Sequence, residues 1–396
     1  MALTRIPAAF IRGGTSKAVV FRRDDLPADR SDWEGIFLAA MGSPDPQGRQ
    51  LDGMGGGISS LSKVCVVGRC DRSDADVEYT FAQIGVADAT VDYSANCGNM
   101  SSAIGPFAMD EGLIIGPRSG PAAVRILNTN TGKIIVSRFE VVSGVPVTEG
   151  DLAIDGVAGT GAPVRLEFLD PGGAGTGQLL PTGRQVDRLD VVGVGALNVT
   201  LVDAANPCAF VSADDLGLTG DESPDALEAD PDLLARLEAV RCAASVAMGL
   251  APDIAAAGRI PSIPKIAVVY TPRPMTTLSG RRLRPDEMTL GVRMISIGRP
   301  HRALPVTGGI CLAVATRIAG TVPARLARTG DGPITLGHPS GLLVVDAEVD
   351  DAETPQLAHA RFGALYRTQR RLFEGSVVVP SRVLAEGTSR ASEVAA

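Results

Sequence analysis

Three segments in the first half of the chain return, in the same order, in the second half. "TSKAVVFRRDDLP" (Thr15 to Pro27) is matched, with one inserted residue, by "NPCAFVSADDLG" (Asn206 to Gly217). "SKVCVV" (Ser62 to Val67) returns as "PKIAVV" (Pro264 to Val269). "CGNMSSAIG" from Cys97 returns as "TGGICLAVA" from Thr307, each a small-residue turn running into a helical pattern. One match between apolar strands means little, but three in order point to internal duplication and so to two similar lobes. A chain of 396 residues is also long for a single core.

The local patterns are those of an α+β protein. Runs such as "AVVF", "VRLEFL", "LNVTLV" and "GLLVVDAEVD" read as strands bounded by Gly, Pro and Asp. The 46 glycines and 27 prolines favour short strands and many turns over long bundled helices. The clearest helix is "ADPDLLARLEAVRCAASVAMGL", with Asp230 as N-cap, Pro231 in the first position and Gly249 as the stop. The expected seam lies near "LLPTGRQVDRLD". It gives an N-terminal lobe of residues 1–185, joined by about 363–380, a second lobe of 186–362 and a fraying polar tail at 386–396.

Composition excludes several function classes. The net charge is −8, and no Lys/Arg stripe offers the phosphate neutralisation on which nucleic-acid affinity rests. No stretch approaches the roughly 20 apolar residues that cross a bilayer. "MALTRIPAAFIRGG" lacks a signal-peptide pattern. The six cysteines include no CxxC, and with three scattered histidines they form no zinc pattern, so no metal is expected. Reduced thiols in a cytoplasmic protein are the default expectation. No Walker motif, dinucleotide fingerprint or Ser-His-Asp arrangement competes, and no cofactor is expected.

Two similar lobes suggest a cleft between them, with a helix N-terminus from each lobe attracting carboxylates of a small anionic ligand. Cys97 opens one such helix, where a thiolate is stabilised; the alternative is a small buried hydrophobe. Lys63 lies in the apolar strand "SLSKVCVV", where burial would make its amine a usable base; the alternative is an edge lysine reaching outward. "RGGTSK" (Arg12 to Lys17) offers paired glycines, two cations and the hydroxyls of Thr15 and Ser16, or is an ordinary turn. "LDGMGGGISS" is not a phosphate loop, and a flexible turn is its plainer account. "GHPSG" sets His338 and Ser340 in a tight turn able to hold a carboxylate, although a turn histidine is more often structural. Arg293 and Arg370 are candidate carboxylate clamps, with ion pairing as the alternative. Thiol and amine together suit proton transfer at a carbon beside a carboxylate or ketone.

"RIPAAFIRGGTSKAVVF", "MGSPD", "QLDGMGGGISSLSKV", "NCGNMSSAIGPFAM", "GHPSG" and "RTQRRLFEG" resemble the methylaconitate isomerase-like (PrpF-type) family, in order, from about residue 4 to 377. That family includes 2-methylaconitate and 4-oxalomesaconate isomerases and is similar in fold to diaminopimelate epimerase. The resemblance implies two pseudo-symmetric lobes, each a β-barrel-like sheet around a central helix. It implies Lys63 and Cys97 as the catalytic acid/base pair. The binding residues it brings together with the turns above are Thr15, Ser16, Ser62, Gly98, Asn99, Met100, Arg293, Thr307, Gly308, Gly309, His338 and Ser340. In diaminopimelate epimerases a second cysteine opens the other lobe's turn; here Thr307 matches it, and Cys311 lies about one turn further on, so a two-thiol racemase is not expected. The stretches nearest the 4-oxalomesaconate enzymes imply an allylic isomerisation of that keto acid in the breakdown of lignin-derived aromatics. The alternatives are 2-methylaconitate isomerisation in propionate breakdown, or a non-catalytic partner of an aconitase-like dehydratase. The expected partner is a small tricarboxylate or keto acid, with no nucleic acid or membrane, and a homodimer is compatible with the pattern.

Overall fold

The structure is a computed structural model that describes residues 2–93, 97–296, 298–330, 332–350 and 354–383. The expected tail at 386–396 lies outside the described residues. The chain divides into two compact units, the first of Met1–Leu166 with Arg367–Ala396 and the second of Glu167–Tyr366. The first boundary falls well before the seam expected at 185–186, and the second falls after residue 362. Asp203 explains the first difference. Its carboxylate accepts from the amides of Gly175 and Thr176, both at 2.7 Å, and from the Thr176 hydroxyl at 2.8 Å. Its amide donates to the Leu179 carbonyl and its carbonyl accepts from Gly173. The loop ahead of the expected seam is therefore tied to a strand of the second unit.

In the first unit, β1 (Leu3–Gly13) and β2 (Ser16–Arg22) form a hairpin, and β2 runs parallel to β3 (Lys63–Arg69). The ladder continues antiparallel to β4 (Val77–Ile84), parallel to β5 (Gly120–Asn128) and antiparallel to β6 (Ile134–Val142). The strand Gln369–Pro380 closes on β1 from the other side. Alternation in β3 sends Val64 and Val66 to one face, where they pack with Trp33, Ile36 and Phe37 of α1 (Trp33–Met41). Lys63 and Cys65 face the other way. Between β4 and β5 in the chain comes α2 (Gly98–Asp110), buried without interruption from Met100 to Ala108. Its sequence has no polar stripe, which is the signature of a helix enclosed on every side. Its small residues permit close approach, since a Cβ on Gly105 would stand 2.6 Å from Ser137 Oγ.

The second unit repeats this plan. β7 (Asp187–Val191) joins β8 (Gly195–Asp203), β8 is antiparallel to β9 (Pro207–Ser212), and β9 is parallel to β10 (Lys265–Tyr270). The order continues with β11 (Leu290–Ser296) antiparallel, β12 (Ile334–His338) parallel and β13 (Gly341–Val349) antiparallel. The senses of β8 to β13 match those of β1 to β6 one by one, and β7 pairs with β8 as Gln369–Pro380 pairs with β1. The helix α3 (Pro231–Ala247) takes the place of α1, packing Leu233, Leu237 and Val240 against Ile266, Val268 and Tyr270. Its expected cap is present, with the Asp230 side chain accepting from Leu233 N, a contact that contributes about 1 kcal/mol. The central helix is α4 (Val306–Arg317), buried from Gly308 to Ala315.

All three repeated segments thus lie on equivalent elements, in an α+β architecture of two pseudo-symmetric halves. One register differs from expectation. Cys97 caps α2 and Pro305 caps α4, and the buried runs start at Met100 and Gly308. Thr307 therefore corresponds to Asn99, two positions on from the cysteine. The thiol has no counterpart in the second unit, because a proline stands there. Cys311, mid-helix, is buried with its Sγ on the Val202 carbonyl at 3.4 Å, and burial holds its thiol protonated.

Candidate active site

The head of α2 gathers most of the chemistry in the first unit. Cys97 is a half-buried N-cap in extended conformation, and its carbonyl accepts the first helical bond from Ser101 N at 2.9 Å. Its side chain makes no capping bond, as a thiol is a poor substitute for Ser, Thr, Asp or Asn. The amides of Gly98, Asn99 and Met100 precede that first bond and carry the positive end of the helix dipole.

Asn99 is fixed from both sides. Its Oδ1 accepts from Arg367 Nε at 3.0 Å, and its Nδ2 donates to the exposed Thr15 at 3.2 Å. The β1–β2 turn comes this close because it is glycine. At Gly14, whose φ is +52°, a Cβ would stand 2.3 Å from Asn99 Oδ1, and at Gly13 one would stand 2.7 Å from the Asn99 carbonyl. Arg12 clamps the turn by donating to the Gly14 and Thr368 carbonyls, both at 3.0 Å. Of the "RGGTSK" residues, Thr15 therefore reaches the site, whereas Ser16 is buried within the hairpin.

Arg367 is buried, and burial pushes its guanidinium down to about 10, against the pull of nearby Cys97. The expected clamp, Arg370, stands exposed on the outer side of the same segment. Sequence reading did not single out Arg367 of "RTQRRLFEG", because its burial depends on where this returning segment meets β1.

Lys63 is buried at the start of β3, with its Nζ donating to Gln83 Oε1 and lying 5.0 Å from the centre of the Phe81 ring. Gln83 is its cross-strand partner and is held in turn by the carbonyls of Ser62, at 2.9 Å, and Ser59, at 3.0 Å. Among the described residues no carboxylate pairs with Lys63. Cys65, two residues on and on the same face, has its thiol pushed up by burial first and by Cys97 second, with Lys63 acting the other way. Lys63, Cys65 and Cys97 therefore share one electrostatic neighbourhood, and only Cys97 among the two thiols is partly open. At the opposite end of α2 lies a surface pocket lined by Arg22, Phe107, Glu111 and Arg371, where Arg371 is already paired with Glu111 at 2.8 Å.

Ser62, expected among the binding residues, is buried. Its buried hydroxyl donates to Gln50 Oε1 at 2.6 Å and to the Ile58 carbonyl at 2.9 Å, so it braces the glycine-rich loop. Gln50, a residue that sequence reading missed, also binds Gly57 N and Ser43 Oγ.

The remaining candidates lie in the second unit. Thr307 is exposed in the first turn of α4. Gly308 and Gly309 are buried, and a Cβ on them would meet Met294 Sδ at 2.4 Å and Leu343 Cδ2 at 2.7 Å, which marks them as packing glycines. His338 is buried in the β12–β13 turn, its Nδ1 accepting from Ser340 N at 3.3 Å, while Ser340 Oγ donates to the Arg302 carbonyl at 2.6 Å. Arg293, expected as a carboxylate clamp, is engaged within its own unit. It is buried on the face of β11 opposite Met294, donating to the carbonyls of Glu222 and Val292 and to the Tyr270 hydroxyl, so it braces the sheet. Among the described residues no group of three His, Cys, Asp or Glu side chains is placed to hold a metal ion, and no helix is long and apolar enough to cross a membrane.

A buried lysine and a half-buried thiol at a helix head thus share one neighbourhood in the first unit, and the second unit repeats the topology without the thiol. The chain belongs to the PrpF family: the family model described as "PrpF protein" matches residues 3–380. It is 39% identical to a (4E)-oxalomesaconate Delta-isomerase of Novosphingobium sp. (strain KA1), over 94% of this chain and 97% of that protein. It is 38% identical to a 2-methyl-aconitate isomerase of Cupriavidus necator, over 95% of this chain and 97% of that protein. A crystal structure of a methylitaconate-delta-isomerase matches with a TM-score of 0.89 and 40% identity, covering 97% of this chain and 98% of that one. The protein is an isomerase.

Proposed function

We propose that the protein catalyses a cofactor-independent 1,3-allylic proton transfer on 4-oxalomesaconate, with Lys63 taking the proton. The observation that carries this is the buried amine of Lys63, held by the neutral Gln83 and by no carboxylate among the described residues. A carboxylate partner would fix the ammonium form in an ion pair, whereas a neutral acceptor leaves the amine able to exchange its proton.

In the proposed step the C–H bond next to the conjugated carbonyl breaks and its proton forms an N–H bond on Lys63. The electron pair spreads over the adjoining C=C and C=O as a dienolate. The proton is then delivered to the carbon two positions away, and the double bond moves with it. Cys97, half-buried and in the same neighbourhood, is the second acid/base. The amides of Gly98 and Asn99 supply donors for the dienolate oxygen, each worth about 3 kcal/mol where well aimed. Arg367 acts through Asn99.

The choice of 4-oxalomesaconate is supported by the relative of that name at 39% identity. A second reading, 2-methylaconitate with the same lysine, is supported by the relative at 38%. Both acids change their conjugated absorbance on isomerisation, so purified protein is assayed on each. Faster turnover of 4-oxalomesaconate is expected; turnover confined to 2-methylaconitate replaces it with the second reading, and turnover of neither acid overturns both.

A further inference from the structure

The surface pocket at the C-terminal end of α2 is lined by two arginines in opposite states. Arg371 is engaged. It donates to Glu111 at 2.8 Å, to Glu374 at 3.1 Å and to Asp110 at 3.4 Å, and its guanidinium lies 5.4 Å from the centre of the Phe107 ring. Arg22 is the reverse. Among the described residues its side chain has no hydrogen-bond or ion-pair partner, and its Nε is buried as well. Alternation in β2 puts it there. Val19 and Phe21 pack in the core with α1, so Val20 and Arg22 stand on the other face, where they line the pocket with Phe107. A half-buried guanidinium without an acceptor is costly unless an outside anion meets it.

The rest of the lining selects the anion. The pocket has a volume of about 500 Å³, room for one small molecule, and Ala8, Ala9, Val20 and Phe107 give it an apolar wall. Asp25 also lines it, exposed and unpaired among the described residues. With Glu111 and Glu374 the lining carries three carboxylates to two guanidinium groups, and the C-terminal end of α2 adds negative potential. A di- or tricarboxylate is therefore repelled once its first carboxylate reaches Arg22. A single carboxylate joined to an ammonium fits better, because Arg22 and Asp25 each lack a partner and do not pair with each other.

We propose that this pocket binds a small zwitterion, an α-amino acid with an apolar side chain. Its carboxylate meets Arg22, its ammonium faces Asp25, and its side chain lies along Val20 and Phe107. The pocket is separate from the proton-transfer site. α2 is 13 residues long, which sets the pocket about 20 Å from Cys97 at the other end. It is a binding site only, and it stands whether or not the function proposed above does.

Equilibrium dialysis with radiolabelled L-leucine tests it. Wild-type protein is expected to bind about one leucine per chain, saturably and in the millimolar range that so small a ligand reaches. Arg22→Gln is expected to weaken binding by about tenfold or more, as loss of a hydrogen bond to a charged group does, and Arg22→Lys to recover most of it. Asp25→Asn is expected to weaken it about threefold, the scale of an exposed ion pair, and 4-methylpentanoate, which lacks the amine, should compete about threefold less well than leucine. Saturating tricarballylate should leave leucine bound. No saturable binding up to about 20 mM leucine overturns the site, as does undiminished affinity in Arg22→Gln. Displacement by tricarballylate overturns it too, since the leucine would then share the tricarboxylate's site. Undiminished affinity in Asp25→Asn, or equal competition by 4-methylpentanoate, overturns the zwitterion. Should Arg22→Gln fail to fold, Asp25→Asn and the competitors decide. Dialysis requires no turnover, so this proposal and the isomerase reading fail separately.

Discussion

The heads of α2 and α4 are reached by the same succession of strands, yet they present different chemistry. At α2 the cap is a thiol, the next turn holds an asparagine pinned between Arg367 and Thr15, and a buried lysine lies under Gln83. At α4 the cap is a proline, the corresponding residue is the exposed Thr307, and Lys265, at the start of β10, donates to Ser296 Oγ. Duplication preserved the lysine and the helix head in both halves but the thiol in one. Under the proposed function only the first of these heads moves the proton.

That contrast breaks most visibly at the two lysines. Lys63→Met is expected to lower kcat by about a thousandfold, the scale of general acid–base catalysis. Lys265→Met, at the equivalent position of the second unit, is expected to change kcat less than about tenfold, so an equal collapse of kcat in steady-state kinetics contradicts the asymmetry. Gly14→Ala comes next. Its Cβ would collide with Asn99 Oδ1 at a φ of +52°, so thermal unfolding should show a destabilisation of about 1–3 kcal/mol, with kcat falling as Asn99 is displaced. Cys97→Ser is expected to cost about tenfold to a hundredfold in kcat with unfolding unchanged; full activity would reduce the thiol to a spacer.

The smallest effect belongs to His359, at the surface of the second unit. Its imidazole pairs with Asp350 at 3.1 Å and Asp170 at 3.0 Å, and these raise its pKa. A raised pKa in the folded state contributes stability below the unfolded imidazole value, about 6.5, and that contribution is lost as pH rises through the folded value. His359→Gln should therefore lower the melting temperature slightly near pH 5.5 and not near pH 8.5, as befits an exposed pair, with turnover unaffected at either pH.

Much of the architecture was legible because it is written in local patterns. The β-branched runs became strands, the Asp230–Gly249 segment became a capped helix, and the small-residue turns at Cys97 and Thr307 became heads of enclosed helices. Lys63 stood out as a cation in an apolar strand. Arg367 and Gln83 did not, since their roles depend on cross-strand register and on the return of the C-terminal strand to β1. Ser62 and Arg293 show the converse. A polar group in a strand reads alike whether it meets a ligand or braces the fold, and both turned out to be braced. The seam was displaced for a similar reason, because strand patterning cannot reveal that Asp203 gathers the loop before it.

The central claim is that Lys63 carries the proton between two carbons of the substrate. Isomerisation in D2O, followed by NMR of substrate and product, measures it directly. The account predicts that wild-type protein places deuterium at the carbons that exchange the proton, and that folded Lys63→Met loses isomerisation and incorporation together. Deuterium incorporation at the wild-type rate in Lys63→Met would contradict it.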